Sequence, residues 1–219
     1  MSRRQRGQRP SSRRWLERQA RDLYVRRARE LGYRARSVFK LEEIDHRFGL
    51  LRAGLRVLDL GAAPGSWSQY AARKGCRVVA VDRLPMAPIP GVTFVQGDFL
   101  EGDTQRRLRE LLPDGVDIVL SDLAPATTGR RSLDRLRAEA AAEEILAFVA
   151  AVLRPGGHLL IKLYKGAEAE IAKRARPLFA KVRHLRPRAT RPESSEIYLL
   201  GSGYRGSSPA AERKASPGA

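Results

Sequence analysis

Apolar positions recur at helical spacing before residue 50 and at strand spacing after it. In residues 13–31, Leu16, Ala20, Leu23 or Tyr24, and Leu31 fall near one face, and Gly32 can stop the run, which predicts a helix. Val38, Leu41, Ile44 and Phe48 predict a second helix, closed by Gly49. From there short apolar runs alternate with amphipathic ones. Strands are predicted at 56–60 (RVLDL), 77–82 (RVVAVD), 92–95, 116–122, 158–164 (HLLIKLY), 181–185 and 195–201. Helices are predicted after the turn at 61–65, at 104–112, at 133–153 and at 167–180, with Pro155, Gly156 and Gly157 stopping the longest. Residues 202–219 are rich in Gly, Ser, Pro and Ala and read as a disordered tail. No internal repeat is present.

Strand–helix alternation with short apolar strands predicts an α/β fold, a mostly parallel sheet covered on both faces. The last two strands follow one another with no helix between them, whereas a right-handed parallel crossover needs one. The final strand is therefore expected to run antiparallel. The seven strands then form a Rossmann-like doubly wound sheet with an antiparallel last strand, in one domain spanning residues 13–202.

Charge changes this picture. The 219 residues carry 42 Lys+Arg against 24 Asp+Glu, a net +18, and Arg supplies 35 of the 42. Residues 1–40 hold 14 basic residues and 3 acids, residues 41–172 hold 17 and 18, and residues 173–192 hold 8 and none. A near-neutral body between two basic flanks points to a polyanionic partner such as RNA rather than to uniform Arg inflation. Residues 1–12 read as a solvated basic arm. No run of 18 apolar residues exists, so no membrane span is expected. A single cysteine excludes a disulfide framework or a multi-cysteine zinc site and fits a reducing, cytoplasmic setting. Cys76 reads as packing. His46, His158 and His184 have no metal-ligand spacing, and no metal is expected.

The first strand runs into Gly61-Ala-Ala-Pro-Gly65, where small residues let backbone approach a ligand beyond the strand ends. Pro64 breaks the dinucleotide fingerprint, so a pyrophosphate is not the expected ligand. Asp82, ending the second strand, can accept from ribose hydroxyls, and Asp98, after the third, can accept from an adenine amino group. Ribose and adenine without phosphate indicate S-adenosylmethionine. Asp59 can serve that cofactor or cap the following turn, and Trp67 can pack beside it or fill the boundary between sheet and helix.

Six collinear segments carry a resemblance: residues 57–71 (VLDLGAAPGSWSQYA), 82–87 (DRLPMA), 95–100 (VQGDFL), 121–126 (SDLAPA), 153–165 (LRPGGHLLIKLYK) and 195–202 (SEIYLLGS). Together they resemble the FtsJ-like ribose 2′-O-methyltransferases, and most closely the bacterial branch that methylates a uridine of large-subunit ribosomal RNA. Residues 12–44 are similar to the N-terminus of that branch. The resemblance covers about residues 12–202, and residues 203–219 match nothing. It implies a Lys-Asp-Lys-Glu catalytic tetrad at Lys40, Asp122, Lys162 and Glu196. It implies cofactor contacts at Gly65, Trp67, Asp82, Asp98 and Asp122. Two positions depart from the family pattern: Ser66 stands where many relatives have a second Gly, and Ala126 where an Asn is usual.

Methyl transfer to a ribose hydroxyl needs a group within hydrogen-bond reach of a barely acidic nucleophile, and Lys162 is the candidate. Lys40 would lower its pKa, while Asp122 and Glu196 would raise it, so proton removal and orientation of the hydroxyl both stay open. A monomer acting on ribosomal RNA within the large subunit is expected. The rivals are a tRNA ribose methyltransferase and a non-catalytic ribosome-assembly factor using the fold as an RNA platform.

Overall fold

A computed structural model describes residues 22–124 and 131–206. The elements in chain order are α1 (Leu23–Glu30), α2 (Val38–Phe48), β1 (Arg56–Leu60), α3 (Ser66–Arg73), β2 (Arg77–Asp82), β3 (Val92–Gln96), α4 (Gly102–Leu111), β4 (Val116–Ser121), α5 (Arg131–Val152), β5 (Leu153–Tyr164), α6 (Glu168–Ala175), β6 (Phe179–Leu185) and β7 (Glu196–Tyr204). The strands form one sheet in the order β3-β2-β1-β4-β5-β7-β6. Pairings among β1 to β5 are parallel, and β7 runs antiparallel to both β5 and β6. The α/β class and the antiparallel last strand are as expected. That strand inserts between β5 and β6.

Alternation along the strands divides the core. Ile118 and Leu120 of β4 join one apolar cluster and Val119 joins the other, because successive side chains point to opposite faces. The first cluster also takes Ala28, Val38, Leu41, Trp67 and Tyr70 from α1, α2 and α3. The second takes Leu108, Val149 and Ile171 from α4, α5 and α6. A fully buried Leu or Val contributes roughly 1.5–3 kcal/mol, so both layers hold the sheet, and the strand ends between them stay fixed.

Four boundaries depart from the sequence reading. Asp22 is extended and its carboxylate accepts from the Tyr24 amide at 3.0 Å. The first described helix therefore starts at an N-cap, and the part of the predicted helix at residues 13–21 lies outside the described residues. The long helix ends at Val152 and β5 begins at once, so Pro155, Gly156 and Gly157 lie in an irregular stretch of that strand, where its register with β4 shifts between Val116 and Ile118. The helix predicted to 180 stops at Ala175, two residues before Pro177, which has no amide to donate. The last strand continues through Tyr204, whose ring packs on Phe179 and whose hydroxyl donates to the Ala150 carbonyl at 3.3 Å. The arm at residues 1–12, Ala126 and all but the start of the predicted tail lie outside the described residues. No described helix is long and apolar enough to cross a membrane.

Candidate active site

The carboxyl ends of β1, β2 and β4 meet at one rim. After β1, Gly61 and Ala62 both donate to the Val81 carbonyl, at 2.9 and 3.1 Å, which folds the turn back onto β2. A Cβ on Gly61 would lie 2.6 Å from Leu123 Cα, so only glycine allows β1 and β4 to close up here. Gly65 has φ +104°, and a Cβ there would strike Met86 and Ile89. Arg34 straps this loop from outside: its guanidinium donates to the carbonyls of Pro64, Ala87 and Pro88 at 3.1, 2.7 and 2.8 Å.

Beyond the rim lies a cavity of about 290 Å³ whose walls include Gly61, Ala63, Asp82, Asp98, Asp122 and Leu123. Asp82 accepts from the amides of Ala63 (2.9 Å) and Leu84 (2.8 Å), so it ties the first turn to the end of β2 as well as facing the cavity. Asp98 accepts from the Leu100 amide at 3.0 Å and has Arg83 at 3.5 Å. Three carboxylates against one arginine favour a cation and disfavour a phosphate-bearing ligand. S-adenosylmethionine fits that lining, with Asp82, Asp98 and Asp122 as the residues that would hold it. Gly65 and Trp67, expected beside the cofactor, are not in this wall. Gly65 caps α3 and donates to the Ala62 carbonyl at 2.7 Å. Trp67 is buried against Tyr198, with Nε1 donating to the Ser37 carbonyl at 2.9 Å.

Ser66 has a clear role as well. Its hydroxyl lies 2.8 Å from that of Ser37, so Ser66 and Trp67 both dock the loop after β1 on the residue preceding α2. Asp59 is fully buried, accepts from the Ser68 hydroxyl at 2.6 Å and has no hydrogen-bond partner on its other oxygen among the described residues. Burial pushes its carboxyl up to about 7, against the lowering effect of the Ser68 bond.

The four tetrad positions converge as two ion pairs. Lys40 from α2 contacts Glu196 at 2.5 Å. Lys162 from β5 contacts Asp122, just after β4, at 3.1 Å through the carboxylate and 2.5 Å through the main-chain carbonyl. Register explains the meeting: Lys162 lies opposite Tyr198 and Tyr164 opposite Glu196 on β7. Tyr198, which the sequence reading missed, donates to the same Asp122 oxygen at 3.0 Å, and Lys40 stands 5.8 Å from its ring centre. The signal was available, because Glu196 and Tyr198 are two apart on one strand and so share a face.

Electrostatics decide the resting protonation. Burial alone would lower Lys162, but the charges of Asp122, Tyr164 and Glu196 outweigh it and hold the amine above its ordinary range. Burial would raise Glu196, but the hydrogen bond and charge of Lys40, then the charge of Lys162, hold it below. Lys162 thus rests as an ammonium and Glu196 as a carboxylate, each in contact with its partner. Lys40 pairs with Glu196 and is not the cation expected to lower Lys162.

The profile of the family described as FtsJ-like methyltransferase matches residues 33–204. The chain belongs to that family. This methyltransferase is 49% identical over 203 residues to the ribosomal RNA large subunit methyltransferase E of Rhodopseudomonas palustris strain TIE-1, covering 90% of this chain and 86% of that one. To the protein of the same name from Acidiphilium cryptum it is 46% identical over 198 residues, covering 90% and 88%. Among solved structures, a Plasmodium falciparum ribosomal RNA methyltransferase superposes with TM-score 0.71 at 29% identity, covering 80% of this chain and all of that one.

Proposed function

We propose that this methyltransferase transfers a methyl group from S-adenosylmethionine to the ribose 2′-hydroxyl of a uridine in large-subunit ribosomal RNA, acting in the cytoplasm as a monomer. The observation that carries the reading is the convergence of Lys40, Asp122, Lys162 and Glu196 beside an acidic cavity. S-adenosylmethionine, when bound, supplies an electrophilic methyl on a positive sulfur, so no metal is called for. Lys162 has three N–H donors, and Asp122 engages two of them. The remaining donor fits the 2′-oxygen and orients its lone pair. Asp122 takes the hydroxyl proton, which becomes strongly acidic as the new oxygen–carbon bond forms. Lys40 and Glu196 keep the site neutral, and Tyr198 holds Asp122 in place.

Names of close relatives support the large-subunit substrate, and the basic flanks support an RNA partner. Methyl transfer assayed in parallel on large ribosomal subunits and on tRNA, with cofactor binding followed by calorimetry, tests the reading. Transfer to the subunits alone is expected. Transfer to tRNA alone would favour the tRNA rival, and subunit binding without cofactor binding or transfer would favour the assembly-factor rival.

A further inference from the structure

A second cavity, of about 350 Å³, has Lys40 and Glu196 in its wall together with Arg36, Arg191 and Glu193. Both arginines are turned onto one atom. Arg36 Nη1 and Arg191 Nη2 each contact Asp22 Oδ2, the latter at 3.3 Å. Arg36 is fixed further by stacking over Tyr24, 5.2 Å from the ring centre, and by donating to the Ala189 carbonyl. Two guanidinium groups held close at a largely buried position repel one another, and Asp22 is the anion that they share. The carboxylate is not bound to that duty. Its other oxygen caps α1 through the Tyr24 amide, so Oδ2 can release the arginines while the helix keeps its cap.

We propose that Arg36 and Arg191 form a site for a backbone phosphate of the substrate RNA next to the target ribose, and that Asp22 fills it until RNA displaces the carboxylate. The inference rests on the ribose-methylation reading. Planar guanidinium forks match the non-bridging oxygens of a phosphodiester, and a phosphodiester offers two such oxygens where Asp22 offers one. The cavity shares two walls with the tetrad, so a phosphate held there fixes the strand where the hydroxyl must enter. Glu193 in the same wall disfavours more than one phosphate.

The test uses the full chain and large ribosomal subunits from cells lacking the enzyme. Binding is measured over a range of salt for the wild type, Arg191→Gln and Asp22→Asn. Asparagine caps helices as well as aspartate does, so Asp22→Asn removes the charge and spares α1. Arg191→Gln should weaken binding and reduce the slope of log K against log salt by about 0.7, one phosphate's share for single-stranded RNA. Asp22→Asn should tighten binding about fivefold, with cofactor affinity unchanged in both. Arg191 is one-third exposed at its side chain, so Arg191→Gln decides alone if Asp22→Asn melts early. An unchanged slope in Arg191→Gln, or no gain in a stably folded Asp22→Asn, overturns the proposal and leaves Asp22 as a structural clip. Wild-type transfer to the same subunits tests the functional reading separately: subunits bound but never methylated would reject that reading while the slopes still report on the site.

Discussion

Lys162 is held as an ammonium, and this sets how rate must vary with pH. Its amine lies above the ordinary 10.5 because Asp122, Tyr164 and Glu196 overcome the effect of burial. At pH 7.5, three units lower, about one amine in a thousand or fewer is neutral. A neutral-amine mechanism would then gain about tenfold in rate per pH unit. An orienting ammonium gives a flat profile from pH 7 to 9 and loses activity only above the raised pKa. The magnitude for Lys162→Ala follows from the bond it removes. One charged hydrogen bond to the 2′-oxygen contributes about 1.5–3 kcal/mol, or roughly a ten- to hundredfold loss, against about 10²–10⁴-fold for a general base. Lys162→Arg should fail too, since the side chain is 6% exposed and its ammonium already sits at 2.5 and 3.1 Å from its partners. The assay is single-turnover transfer to large subunits at saturating cofactor, with cofactor affinity by calorimetry expected to stay near wild type. A unit slope between pH 7 and 9 that vanishes in Lys162→Ala would refute the orienting role, and a near wild-type Lys162→Arg rate would make Lys162 a replaceable charge.

Three further outcomes follow from the same geometry. Asp82→Ala should weaken S-adenosylmethionine binding about ten- to a hundredfold by calorimetry, one or more charged hydrogen bonds being lost. Tyr198→Phe removes one donor from Asp122 and should lower the single-turnover rate by up to about tenfold while leaving the cofactor dissociation constant unchanged. Asp59 has a folded pKa of about 7 against 3.8, so the native state binds the extra proton between those values and stability falls as pH rises through that window. Melting followed from pH 4 to 8 should show that decline in the wild type and a flatter course in Asp59→Asn.

Strand positions were legible in the sequence because short apolar runs between turn signals are a local pattern, whereas the four charged positions were implied only by the resemblance, and the structure brings them together as two ion pairs. Lys162, Asp122 and Glu196 sit where β5, the end of β4 and β7 come together, as their motifs implied. What escaped depends on partners distant in sequence. The insertion of β7 between β5 and β6 is a choice of neighbours that no single segment encodes. Asp22 looked like one polar residue on a long helix, yet its bonds to Arg36 and Arg191 lie 14 and 169 residues away. Arg34 looked like one more basic residue in a basic flank, but it straps the loop after β1 through the Pro64, Ala87 and Pro88 carbonyls. Trp67 was open between two roles, and its bond to the Ser37 carbonyl shows it packing α3 against α2.

The most direct test of the central claim is nucleoside mass spectrometry of large-subunit ribosomal RNA after incubation of unmodified subunits with the purified enzyme and methyl-labelled S-adenosylmethionine. Label is expected in 2′-O-methyluridine, recovered as an alkali-stable dinucleotide, and should fall roughly ten- to a hundredfold in rate with Lys162→Ala. Label on a base, or on a ribose at an undiminished rate in that variant, would contradict it.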